Sequence, residues 1–278
     1  MGREHDGEGI EGQRHRFFEG LEPTLHIAHR GGSTLAPENT MVAFEQAVEV
    51  YDTDMLEIDV HLTADGVVVV HHDDDLDRCS NGRGPIANHT WAQLQNIDAG
   101  YQFTPDGGQS WPWRDRGVRI PRLDETLEAF PELRFNIEIK TPNPHAIAAF
   151  LKVVRDLNAI DRVCMGSARD RVGARLAAAA PEGCHFYPQN ALARFILPAL
   201  AGLKPRLDRR YTVLDMPDHL GPLNLVTPRL LDVARATGRW VNVWTIDDAV
   251  QMGRLIRLGV GGVMTDRPDR LLAALAGG

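Results

Sequence analysis

The sequence predicts an α/β fold: one slightly irregular (β/α)8 barrel of the TIM type, with a long excursion over one mouth. Three observations predict it. Short β-rich runs alternate with helical patterns, which calls for parallel strands joined by helical crossovers. The length of 278 residues suits a single barrel. No shift in composition marks a second domain after residue 25.

The elements follow in order. Residues 1–24 are polar and rich in Glu, Gly, Arg and His, and read as a mobile lead-in with a short helix near Phe17 and Phe18. The barrel domain is expected over 25–278. "LHIAH" opens it as a strand, with a helix over 40–50. "MLEIDVHL" and "VVVVHH" are separated only by "TADG", too short for a crossover helix, so these two runs pair as a hairpin. One of the nine candidate strands therefore lies outside a regular eight-stranded barrel. Residues 74–122 form the excursion, which carries "AGYQFTPDGGQSWPWRDRG" and a helix signal at 90–97. Connections of that length in compact domains are often functional. Strands "RFNIEIK", "RVCMGS", "CHFYP", "YTVLDM", "WVNVWTI" and "GGVMTD" complete the set, with helices over 123–130, 144–157, 169–179, 227–237 and 247–258. The run "NALARFILPALAGL" at 190–203, broken by Arg194 and Pro198, reads either as a buried helix or loop or as a lipid-facing apolar hairpin.

Composition narrows the partners. A net charge of −8 argues against nucleic acid, while a local cluster of cations or a metal still admits a small anionic ligand. No apolar run reaches the ~18 residues of a transmembrane span, so any membrane contact would be peripheral. Cys79, Cys164 and Cys184 are odd in number and form no CxxC pair, which points to free thiols and, with no apolar signal core at the start, to the cytoplasm. No signature of an oligomeric state is visible.

The candidate chemistry gathers at strand ends. Glu57 and Asp59 stand two apart in "LEIDV", so both point to one face with Cα atoms about 6.6 Å apart, while Leu56, Ile58 and Val60 fill the other. "FNIEIK" repeats the pattern with Glu138 and Lys140. Three such carboxylates suit a hard divalent ion, Mg²⁺ or Ca²⁺; an internal ion-pair network with Arg30 and Lys140 fits the same spacing. His29 ends the first strand run, and His71 and His72 end another, of which only one can face the interior. Two imidazoles beside acidic strands and two cations can run acid–base chemistry on a phosphodiester. Gly31 and Gly32 are read as letting the backbone approach an anionic ligand.

Taken in order, "HRGGSTLAPENT", "EIDVHLTADGVVVVHHDDDLDR", "IPRLDETL", "NIEIK", "VNVWTID" and "LGVGGVMTDRPD" resemble the glycerophosphodiester phosphodiesterase family over about 25–272. The resemblance implies a TIM barrel that uses a divalent cation to hydrolyse glycerophosphodiesters to glycerol 3-phosphate and an alcohol. It implies His29 and His72 as the acid–base pair, with Glu57, Asp59 and Glu138 as metal ligands. Arg30 and Lys140 would contact phosphate, Trp244 would form part of the substrate wall, and Glu38 and Asn39 of "PENT" would brace the site. His71 is expected to face away. Gly261 stands where relatives commonly carry Asp. A second reading keeps the chemistry and makes the substrate a lysophospholipid cleaved at a membrane surface, its acyl chain held by Tyr101, Phe103, Trp111, Trp113 or the 190–203 run.

Overall fold

A computed structural model describes residues 15–277. Its strands are β1 (Leu25–His29), β2 (Met55–Leu62), β3 (Val68–Val70), β4 (Arg134–Ile139), β5 (Val163–Gly166), β6 (Cys184–His185), β7 (Val213–Pro217), β8 (His219–Leu220), β9 (Leu223–Asn224), β10 (Trp240–Trp244) and β11 (Gly262–Thr265). Eight of them run parallel in the order β1-β2-β4-β5-β6 and β7-β10-β11, with β11 paired back onto β1. A parallel bridge between Phe186 and Val213 joins β6 to β7, supported by the bond from the Thr212 amide to the His185 carbonyl at 2.8 Å. The result is the barrel that the alternation predicts.

β3 is the expected extra strand. It folds back antiparallel on β2, with Val60 opposite Val70 and Leu62 opposite Val68. The helices are α1 (Met41–Glu49), α2 (Trp91–Leu94), α3 (Leu123–Ala129), α4 (Pro144–Asp156), α5 (Asp170–Ala179), α6 (Gln189–Leu200), α7 (Pro228–Ala236), α8 (Ala249–Leu258) and α9 (Pro268–Ala276). Between "RVCMGS" and "YTVLDM" the run at 190–203 resolves as helix: α6 buries Phe195, Ile196 and Ala199 and leaves Leu197 outside. A hairpin does exist, but it is β8–β9, which follows β7 and had no signal in the sequence reading.

Alternation along the strands builds two different cores. Leu56, Ile58 and Val60 of β2 face outward, with Ile137 and Ile139 of β4, against Phe44 of α1 and Phe150 of α4. The opposite face of β2 reads Met55, Glu57, Asp59, His61 from the base of the barrel to its mouth. The interior follows that gradient. Its floor is apolar, made of Leu25, Ile27, Met55, Val213, Trp240 and Met264, and its mouth is charged.

The lead-in expected over 1–24 is only partly within view, since 1–14 lie outside the described residues. Residues 15–24 do not hang free. Phe17 and Phe18 are buried in the floor cluster, Phe18 stacks on Trp240 with centroids 4.3 Å apart, and Arg134 Nε donates to the Phe17 carbonyl at 2.9 Å. Burying two phenylalanines stabilises by roughly 1.5–3 kcal/mol each, enough to hold this segment down as a plug. Gly261 also belongs to the floor. A Cβ there would lie 2.3 Å from Trp240 Nε1, so the indole fills the space a larger residue would need.

The excursion carries its own small core. Val69, Leu76, Ile86, Leu94, Ala99, Val118 and Ile120 are buried together, with Trp91 and Trp113 packed against them. This accounts for Trp113 by packing; Trp111 is exposed and stacks on the Arg114 guanidinium, 4.6 Å from its ring centroid.

Candidate active site

The charged mouth is built by β1, β2 and β4 and the segments that leave them. Register sets His29 beside Glu57, and Asp59 beside Glu138. All the residues expected from the sequence at this end of the barrel are brought together, except that Trp244 stands across the mouth on β10.

His29 ends β1 and donates from Nδ1 to Asp266 Oδ1 at 2.7 Å, leaving Nε2 at 3.7 Å from Glu57 Oε2. Burial opposes its proton, but the charges of Glu57 and Asp266 outweigh that, and its pKa is raised. His29 is thereby suited to hold a proton near neutrality.

Arg30 follows in a left-handed conformation, φ 52°, as does Asn39, φ 56°. An arginine there is strained, and such strain concentrates at functional sites. It is held by its amide donating to the Glu57 carbonyl at 2.9 Å and by its carbonyl accepting from the Asn39 amide at 3.0 Å. The side chain reaches Glu38 Oε1 at 3.0 Å and lies 3.4 Å from Asp59 Oδ2.

The two glycines after it have a different cause from the one the sequence reading gave. Both have positive φ, and a Cβ on Gly31 would lie 2.8 Å from the Ala43 Cβ, one on Gly32 2.8 Å from the Pro268 Cγ. Close packing of this turn against α1 and α9 requires glycine, without any appeal to a ligand.

The carboxylates differ sharply. Asp59 is buried, accepts from Asn39 Nδ2 at 3.0 Å and pairs with Lys140 Nζ at 2.9 Å. Burial alone would raise its pKa; the charges of Lys140, Arg30 and His72 bring it below the usual range. Glu138 accepts from Lys140 Nζ at 2.7 Å and from the Ala168 amide at 2.9 Å. Lys140 is held charged by the two carboxylates despite its burial. Glu57 has no lysine beside it; its Oε2 accepts from the Arg30 amide at 3.2 Å and faces His29 Nε2 at 3.7 Å. Burial, together with the charge of Asp59, pushes its carboxyl up to about 8.

His72 and His71 separate as expected. The His71 ring is buried, with Nε2 3.2 Å from the Asp75 carbonyl, while His72 stays open to the mouth with Nδ1 donating to Asp73 Oδ1 at 2.7 Å. Beneath them, His61 Nε2 reaches the His72 carbonyl at 3.1 Å.

Four residues here escaped the sequence reading: Asp266, Asp73, Arg78 and His61. Arg78 donates to both Glu38 oxygens at 2.7 Å and to Asp73 Oδ2 at 2.5 Å, tying the Arg30 side of the mouth to the His72 side. The signals were present in "HHDDDLDR" and in the strand-end Asp of "GVMTD". Carboxylates at the C-terminal ends of barrel strands belong to the functional face.

As the side chains stand, no three His, Cys, Asp or Glu groups among the described residues form a metal-holding cluster; Lys140 Nζ lies between Asp59 and Glu138. The donor set still fits a hard cation. Burial and the Asp59 charge hold the Glu57 proton on, so a bound cation would release it, and oxygen donors from Glu57, Asp59 and Glu138 share one mouth.

Comparison with known proteins agrees with this geometry. Residues 29–270 match the model of the glycerophosphoryl diester phosphodiesterase family. A glycerophosphodiester phosphodiesterase of Caldanaerobacter subterraneus is 32% identical, over 90% of this chain and 96% of its own. A human lysophospholipase D is 30% identical, over 88% of this chain and 84% of its own. Among solved structures, a glycerophosphodiester phosphodiesterase from Agrobacterium tumefaciens superposes with a TM-score of 0.74 at 27% identity, covering 90% of this chain and 99% of that one. A phosphodiesterase from Oleispira antarctica, solved with the product sn-glycerol-3-phosphate, gives 0.71 at 25% identity, covering 92% and 97%. With its barrel and a family match across nearly the whole described chain, this protein belongs to the glycerophosphoryl diester phosphodiesterase family of enzymes.

Proposed function

We propose that this chain hydrolyses glycerophosphodiesters to glycerol 3-phosphate and an alcohol by two-histidine acid–base catalysis with a divalent cation. One observation carries the reading: two imidazoles, each seated by its own carboxylate (His29 on Asp266, His72 on Asp73), flank one cluster of carboxylates and cations.

In the first step His72 takes the proton of the glycerol sn-2 hydroxyl, whose oxygen bonds to phosphorus. His29, held protonated, gives its proton to the alcohol oxygen as the P–O bond to it breaks. The product is a cyclic phosphate. In the second step water opens the ring with the roles exchanged: His29 takes the water proton, and His72 returns one to the sn-2 oxygen. Arg30 and Lys140 face the phosphate oxygens, and Trp244 walls the substrate. Glu38 and Asn39 act through others, Glu38 by fixing Arg30 and Arg78, Asn39 by fixing Asp59. Glu57, Asp59 and Glu138 would hold Mg²⁺ or Ca²⁺, which supplies Lewis-acid charge against the phosphate.

The test is a product assay on glycerophosphocholine, glycerophosphoethanolamine and glycerophosphoinositol. Glycerol 3-phosphate should form in equal amount to the alcohol, stop with EDTA and return with Mg²⁺ or Ca²⁺. Folded protein that yields no glycerol 3-phosphate from any of them, with either metal, would refute the reading. The lysophospholipase D alternative keeps every residue role and adds an acyl chain to the glycerol; the likeness to proteins named for that activity supports it.

A further inference from the structure

The chain leaves the mouth end of β7 directly into the β8–β9 hairpin, whose tip reads Leu220-Gly221-Pro222-Leu223. Leu220 and Leu223 are paired across the turn and are 63% and 47% exposed. A hairpin of two residues per strand gains little from its own packing, and while Gly221 and Pro222 are ordinary turn residues, the two leucines that flank them are left in water. No polar side chain stands between Leu220 and Leu223. The root of the hairpin is firm nevertheless. Asp218 accepts from Arg254 of α8, and the Leu225 amide donates to the Asp218 carbonyl at 2.9 Å above buried Leu225 and Val226.

The same sector of the rim holds two more exposed apolar groups. Val250, one turn before Arg254 on α8, is 78% exposed. Trp244, 41% exposed, stands in register with Pro217 at the top of β7, one residue before the hairpin root. Residues 219–224 are all exposed, and with Val250 beside the Arg254-held root and Trp244 beside Pro217 they make up the apolar ledge of this sector. The nearest exposed titratable group on the hairpin, His219, is turned to Asp218 at 3.0 Å.

We propose that this ledge is a lipid-contact surface. The Leu220–Leu223 tip and Val250 enter the hydrocarbon edge of a zwitterionic lipid surface, Trp244 lies at its interface, and the mouth beside them takes an acylated glycerophosphodiester from that surface. The shape argues for lipid: a projecting uncharged tip suits a fluid apolar layer, whereas a protein partner would need a larger complementary face. A chain of net charge −8 with no free cation on the tip favours zwitterionic over anionic lipid. The proposal rests on the phosphodiesterase reading for its substrate arm, but not for its binding arm.

Two measurements on the full chain test it, each comparing wild type with the Leu220→Ser/Leu223→Ser double variant. The first is flotation with phosphatidylcholine vesicles, repeated with vesicles containing phosphatidylserine. The second is kcat/KM on lysophosphatidylcholine against glycerophosphocholine. Wild type should float with phosphatidylcholine vesicles and cleave lysophosphatidylcholine. The variant should lose flotation and about 10- to 100-fold in kcat/KM on the acylated substrate, the loss expected when two half-exposed leucines no longer reach hydrocarbon. Its glycerophosphocholine turnover should stay within about twofold, since surface changes of this kind leave the fold intact. Equal loss on both substrates would overturn the proposal, as would flotation that requires phosphatidylserine or wild type that neither floats nor cleaves the acylated substrate. Failure of wild type on glycerophosphocholine refutes the catalytic reading, and flotation then decides the ledge alone.

Discussion

The mouth of this barrel has two unlike sides. On β1, β2 and β4 nearly every side chain at the rim is charged and tied to at least one partner: Arg30 to Glu38, Asp59 to Lys140 and Asn39, His72 to Asp73, Arg78 to Glu38 and Asp73. Beyond β7 and β10 the rim carries exposed apolar groups, Trp244, Leu220, Leu223 and Val250, above a polar root of Asp218, His219 and Arg254. Cross-braced charges hold a fixed geometry, which catalysis needs because reacting groups must not rearrange during the step. Exposed apolar groups impose no such geometry and gain only when something covers them. Changes on the first side should therefore cost rate, and changes on the second should alter which substrate is taken.

The strongest test of that division is removal of an imidazole. His29→Ala or His72→Ala should lower kcat by ~10²–10⁴ with the fold intact, as expected for loss of a proton-transfer group. Circular dichroism should confirm folding, and steady-state rates on glycerophosphocholine should show the loss. A folded variant that keeps turnover within about tenfold of wild type would break the comparison at its root.

The contrast extends to the outer faces of the strands. β7 and β10 present Leu214, Met216, Val241 and Val243 outward, all buried and untitratable, whereas β1 presents His26. Burial pushes His26 down to about 4 from its ordinary 6.5, with the Asp52 charge offsetting only part of that. A histidine depressed in the folded state is favoured when neutral. Its stabilisation is whole above pH 6.5 and is lost as pH falls through 6.5 towards 4, to a limit of about 3 kcal/mol. His26→Gln cannot titrate. Wild type should lose about 3 kcal/mol more than this variant in urea unfolding between pH 7 and pH 4. Parallel losses in the two proteins would show that the charged half is no more acid-sensitive than the other.

Next come the braces. Arg78→Ala removes the link between Glu38 and Asp73 and should lower kcat about tenfold, with KM changed less, because its partners orient rather than bind. Asp266→Asn should cost a similar factor and leave a second mark. Without that carboxylate charge the His29 pKa falls, so the basic limb of the kcat/KM profile, where His29 loses its proton, should move to lower pH. An unmoved limb would mean that Asp266 only packs.

These braces also show where sequence reading stops. The parity of β2 already placed Glu57 and Asp59 on one interior face, and the shortness of "TADG" already implied the β2–β3 hairpin. Local periodicity is enough for both. Asp266 meets His29 only because β11 closes onto β1, a contact between residues 237 positions apart that no local pattern contains. The placement of Lys140 between Asp59 and Glu138 likewise depends on the β2–β4 register. Gly31 and Gly32 were legible as glycines but not in their cause, since the atoms that exclude a Cβ come from α1 and from Pro268. The β8–β9 hairpin left no trace at all, because two-residue strands are too short to show alternation.

The smallest effect belongs to Trp244, the apolar wall at the mouth. Trp244 is 41% exposed and sits at the end of β10, so its indole loses little on being truncated in the free enzyme. Its contribution appears when substrate covers it, and a half-exposed aromatic wall is worth about 1 kcal/mol, or roughly fivefold in affinity. Trp244→Ala should raise KM for glycerophosphocholine by about that factor while kcat stays within twofold, and Trp244→Phe should recover most of the loss. The effect should be larger on lysophosphatidylcholine, where more hydrocarbon meets the same wall. A fall in kcat with KM unchanged would instead place Trp244 with the charged side, and the division of the mouth into a reacting half and a receiving half would then run between β7 and β10 rather than enclosing both.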